Sequence, residues 1–159
     1  MANQIPLERF TENLYALLDE TFEQVHGIYL DRGTSLFETL ETVSAEDAAR
    51  PISARCASIA AQVHHVTFYL QVLQDYMLGK QVGRVDWPAS WQVPPVTPAE
   101  WDALKQRLRA AHQSVLATIK GIESWDGEDE LGGALAIVVH TAYHLGEIRQ
   151  ALGVLHPDG

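Results

Sequence analysis

Apolar residues recur at steps of three and four along four stretches of the chain, the spacing that lines one side of an α-helix. In the first stretch Leu7, Phe10, Leu14, Leu17, Leu18 and Val25 repeat between charged residues, with Pro6 suited to a first turn and Gly27 to a stop. An irregular segment over 28–33 follows, then a short helix over 35–42. Ser44 with Glu46 and Asp47 reads as another helix start, cut off by Pro51.

The second long helix is predicted from about Ser53 to Leu78, with Ile59, Val63, Val66, Leu70, Leu73 and Met77 as its core stripe and Gly79 as its end. The connection over 80–95 holds Trp87, Pro88, Trp91, Pro94 and Pro95. That proline density predicts a loop with no packed helix, long for a bundle, whose large aromatics suit a pocket cover or a partner surface. The third helix opens on Thr97, Pro98 and Glu100, a capping-box pattern with proline in the first turn. Trp101, Leu104, Leu108, Ala111, Val115 and Ile119 form its buried stripe, and Gly121 and the Trp125-to-Gly127 segment mark the turn after it. The fourth helix runs from roughly Glu130 to Leu152, with Gly153 as its stop. No repeat, low-complexity tract or strand-like alternation interrupts this pattern. The chain is therefore expected to be an all-α four-helix bundle, one domain over 1–159, with a short extra helix and a long loop between helices two and three.

A chain of 159 residues is long enough to bury one sizeable core. Its formal charge of −10 argues against nucleic-acid and anionic-membrane partners, which require clustered Lys and Arg. Cys56 is the only cysteine, which excludes an intramolecular disulfide and a cysteine-based structural zinc site. The first residues lack the basic-then-apolar pattern of a signal peptide, and the longest apolar run, over 134–139, is far short of a membrane span. A reducing cytoplasm is the expected location.

The histidines change the picture. On a helical wheel His140 and His144 fall within the apolar stripe of Ile137, Ile148, Ala151 and Leu155. Residues four apart stand one above the other, so these two imidazoles can converge on a single ion. Facing a core without such a partner, each ring would leave polar nitrogens unsatisfied. In a zinc protease glutamate follows the first histidine; here that position is Thr141, which argues against peptide hydrolysis by that route. His64 and His65 lie midway along another long helix, and adjacent residues diverge by about 100°, so only one of them can face the same ion. Periodicity alone leaves that choice open.

Other candidates carry less. His112 lies near the third helix's stripe as a possible fourth ligand, and His26 and His156 read as helix-end and tail residues. Glu23 and His26 have the spacing of di-iron carboxylate bundles, but no second Glu-x-x-His follows, which argues against such a site. Glu147, one turn beyond His144, can orient a ligand or act as a base; Arg149 reads as an exposed arginine.

The run from His140 through Tyr143, His144, Gly146 and Glu147 to Ile148 resembles the final-helix motif of the DinB-like superfamily of metalloenzymes. The run Gln62, Val63, His64, His65, Val66 is similar to that family's mid-helix histidine, and the layout of helices covers most of the chain. The resemblance implies metal ligation by His140 and His144, and favours His65 over His64 because the family's ligand precedes an apolar residue. Two positions depart from the motif: Tyr143 stands where the family often has histidine, and Glu147 where it usually has glutamine.

Three neutral imidazoles leave coordination positions open on Zn²⁺, Ni²⁺ or a similar divalent ion, the pattern of catalytic sites. An open position that activates a thiol or water points to a small-molecule transferase or hydrolase; the resemblance implies a thiol-dependent S-transferase using a low-molecular-weight thiol, or a related maleylpyruvate isomerase, and a homodimer. The competing expectation is a dimeric bundle that binds a metal or ligand without catalysis. Trp87, Trp91 and Tyr69 are candidates for pocket walls.

Overall fold

A computed structural model describes residues 5–157. They form six α-helices and one 3-10 turn, and no strand occurs among the described residues. Chain contacts divide them into two compact units, one up to Glu41 and one from Thr42 onward. No helix among the described residues is long and apolar enough to cross a membrane.

The first unit holds α1 (Leu7–Phe22) and α2 (Leu36–Glu41). Leu14 and Leu18 on α1 are buried as the periodicity predicts, Phe22, outside the stripe read from sequence, is buried too, and Leu7 is exposed. The turn after α1 is organised by Glu20, which is fully buried. Its carboxylate accepts the backbone N–H groups of His26 and Ile28, both at 2.9 Å, and of Tyr29 and Leu30, both at 2.7 Å. Gly27, at φ 81°, supplies the left-handed residue this wrap requires.

The second unit carries α3 (Ala45–Ala49), α4 (Ile59–Met77), the 3-10 turn Pro88–Trp91, α5 (Pro98–Lys120) and α6 (Glu130–Leu155). Helix α4 packs along both α5 and α6 and also carries the 3-10 turn, while α3 packs on α4 and α5. The α5 stripe from Trp101 to Ile119 is buried at every expected position, and the Trp101 indole N–H donates to the Val43 carbonyl at 3.0 Å. The capping box forms as read: the Thr97 side chain takes the Glu100 N–H, and the Glu100 carboxylate takes the Thr97 N–H. Between α4 and α6 the spacing is small because Gly133 has no side chain; a Cβ there would stand 3.0 Å from Met77 Cγ.

Several elements differ from expectation, and α1 stops at Phe22, short of Val25 and Gly27. Helix α4 begins at Ile59, not near Ser53. Ser53 accepts the Arg55 N–H on its hydroxyl and the Cys56 N–H on its carbonyl, a local turn that competes with helix, and Ser58 provides the real cap by accepting from Ala61. Helix α6 runs through Gly153 to Leu155, because that glycine stays in ordinary helical backbone; the stop comes at His156, the residue before Pro157. The proline-rich connection is not wholly irregular: Pro88 opens a 3-10 turn, which needs no N–H from its first residue.

Candidate metal centre

The middle of α4 and the middle of α6 face one another, and this juxtaposition brings His65, His140 and His144 together. Each offers a ring nitrogen, and the three lie within 4.8 Å of one another. The Nε2 atoms of His65 and His140 are 3.2 Å apart, and those of His144 and His140 are also 3.2 Å apart. Two nitrogens bound at 2.0–2.1 Å to a tetrahedral ion are separated by roughly 3.3 Å, so both spacings match the edge of a zinc-sized coordination polyhedron. His65 and His144 are buried and His140 is half-buried.

Following the ring protons shows which atoms point inward. Ser90 Oγ gives its single proton to the Trp87 carbonyl at 2.6 Å, so at 2.6 Å from His65 Nδ1 it can only accept. His65 therefore carries its proton on Nδ1. His144 Nδ1 lies 2.6 Å from Gln62 Oε1 and 3.0 Å from Glu147 Oε2, both acceptors, so its proton is on Nδ1 as well. With those rings neutral, both of their Nε2 atoms are lone-pair sites. His140 Nε2 has at most one proton to share between two neighbours, so at least one 3.2 Å contact joins two lone pairs. A cation resolves that repulsion. The arrangement fits a divalent ion.

The rings are held neutral. Burial, then the neighbouring His144 and His64 rings, lower His65 to about 4 against a weaker opposing pull from Glu147. Burial, then His144 and His65, lower His140 to about 3. Burial lowers His144 too, with the Glu147 carboxylate opposing. Neutral imidazole is the form that ligates.

Aromatic faces fix what hydrogen bonds do not. The Tyr69 ring stacks on His140 at 3.5 Å between centroids and 5° between planes, and Trp91 stacks on His65 at 3.8 Å and 16°. Trp87 packs against Phe68 and Tyr69 and meets the His65 ring edge-on at 6.5 Å. Glu147 does not reach the inner face of the cluster. Its Oε2 takes the Gln62 amide at 3.0 Å as well as His144, and its Oε1 takes the Tyr143 hydroxyl at 2.8 Å. A cleft of about 780 Å³ opens beside this network and includes Gln62, Trp91, His144 and Glu147 in its wall.

Of the two adjacent histidines, His65 is the one that joins the cluster. His64 turns away from the cluster and donates from Nδ1 to the Ser90 carbonyl at 2.7 Å, so Ser90 binds both rings and separates them. His112 is buried on α5 and is not part of the group of three. His26 pairs with Asp19, and His156 with Asp47 at 3.1 Å. Arg149 is exposed and Thr141 is fully buried. Sequence reasoning missed the role of Ser90, whose position after a Trp-Pro turn has no periodic signal. It named Gln62 only as part of a motif, although its place three residues before His65 puts it near the same face.

Searches among curated proteins and among solved structures found no significant match. The family model described as the DinB superfamily matches residues 29–148, a span that includes all three converging histidines. The chain belongs to the DinB superfamily.

Proposed function

We propose that the chain is a cytoplasmic metal-dependent enzyme acting on a small molecule, with His65, His140 and His144 as ligands of one zinc or nickel ion. A thiol-dependent S-transferase, or a hydrolase, is the reaction class favoured. The observation that carries this reading is the proton arrangement: two rings donate outward from Nδ1, leaving Nε2 lone pairs 3.2 Å from a shared third nitrogen. Membership of the DinB superfamily supports it.

His65, His140 and His144 would hold the ion, which would supply an open position where a thiol or water could bind with its pKa lowered toward neutrality. The chain's own residues supply direction and dryness. Ser90 and the Gln62–Glu147 pair set the outward ends of His65 and His144. Tyr69 and Trp91 cover the faces of His140 and His65 and keep bulk water from them. Glu147 has partners on both oxygens, which supports a positioning role over that of a free base.

The test is metal content per chain in protein purified without a histidine tag. One equivalent is expected in the wild type and in His64→Ala, and a loss to near background in His65→Ala, His140→Ala and His144→Ala. Full stoichiometry in all three variants would remove the site. Turnover is then sought with a panel of low-molecular-weight thiols and electrophiles; a loaded protein with no metal-dependent turnover replaces the enzyme with a non-catalytic binding bundle.

A further inference from the structure

The cleft that His144 helps to line carries apolar and cationic side chains that the metal centre does not use. Trp91, His144 and Glu147 belong to its wall, and both Glu147 oxygens have hydrogen-bond partners. Ile52, Ala151 and Val154 supply apolar surface in its lining. Arg55 and Cys56 also line it, both exposed and on the turn before α4 that Ser53 holds out of the helix. The chain has 21 acidic and 11 basic side chains; Lys80 pairs with Asp75 and Lys105 with Asp102, and Arg55 is the one cation among the described residues that line the cleft. Among the described residues Arg55 has no ion pair and makes only a backbone bond to Ser53. A volume of about 780 Å³ lies within the range of small-molecule pockets.

We propose that this cleft binds an amphiphilic anion, a molecule with an apolar body and a carboxylate held by Arg55. The apolar body lies along Ile52, Ala151 and Val154, and the guanidinium takes the carboxylate by a charge-assisted bond. That such a molecule is the substrate of the neighbouring centre rests on the function proposed above; its binding does not. The net charge of −10 repels an anion in general, so any preference for a carboxylate over its neutral isostere has to come from a local cation.

The test uses octanoate and octanamide on metal-free protein, because a carboxylate could otherwise bind the ion itself. Affinity is read by calorimetry, and location by the rate at which iodoacetamide alkylates Cys56, the sole cysteine, which is exposed and in the cleft wall. Octanoate is expected to bind about fivefold tighter than octanamide at low salt. Saturating octanoate should slow alkylation of Cys56. Arg55→Gln should abolish the preference while leaving octanamide binding intact, and Arg149→Gln, outside the cleft, should keep it. Equal affinity for the two ligands, a preference that survives Arg55→Gln, or unchanged alkylation at saturation each overturns the proposal. Because no metal is present, these results stand or fall separately from the stoichiometry of the three histidines.

Discussion

Ser90 Oγ lies 2.6 Å from His65 Nδ1 and donates its own proton to the Trp87 carbonyl, so a loop hydroxyl dictates which nitrogen of a helix imidazole faces inward. Free histidine has no such constraint, and its neutral ring samples both tautomers. The loop therefore orients a ring of the cluster as well as covering it.

Ser90→Ala is expected to release that constraint. Long-range proton–nitrogen NMR on the metal-free protein should show His65 protonated at Nδ1 in the wild type and a mixture in the variant. Zinc affinity should fall by about 10–100-fold, the usual cost of losing such support, and Ser90→Thr should restore it. A wild-type His65 protonated at Nε2 would contradict the geometry outright.

Gln62 does two things at once, accepting from His144 through Oε1 and donating to Glu147 through Nε2. Gln62→Leu removes both and leaves His144 with Glu147 alone at 3.0 Å. The expected loss of zinc affinity is again about 10–100-fold, with Glu147→Gln costing less because the Gln62 acceptor remains. Competition titration against a chelator of known affinity measures both; equal, unchanged affinities would show that His144 needs no external orientation.

Glu20 gives a prediction remote from the histidines. Burial pushes its pKa up, but the four backbone N–H groups of Tyr29, Ile28, Leu30 and His26 outweigh this and bring it down to about 2. A carboxylate depressed on folding contributes stability that is complete above its unfolded pKa, near 4.3, and is lost as pH falls toward 2. Glu20→Gln should cost about 2–3 kcal/mol at pH 7, since donors buried against a charged acceptor lose it. In urea melts the gap between variant and wild type should narrow below pH 4. A gap that stays constant to pH 3 would mean the carboxylate charge is not what holds the turn.

Much of this was legible in the sequence because it depends on periodicity. The stripe of α5 and its capping box follow from spacing alone, and so does the pairing of His140 with His144 one turn apart. Choosing His65 over His64 did not, since neighbours on a helix differ in direction by an amount that packing, not period, resolves. What resolved it was Ser90, 25 residues away along the chain and contributed by a 3-10 turn whose prolines signal only the absence of long helix. Ser53 misled for a related reason: serine caps helices and builds local turns with the same hydroxyl, and only the partner N–H tells them apart. Gly153 misled because glycine ends a helix only where the backbone turns left-handed, and here it does not.

A nest of three uncharged rings aimed before anything arrives has a consequence for selectivity. Such a set has little means to prefer one first-row cation over the next, because nitrogen donors rank those ions in much the same order whatever protein holds them. Discrimination then passes from the polypeptide to its surroundings. The occupant would be whichever ion the cell leaves within reach while the chain folds.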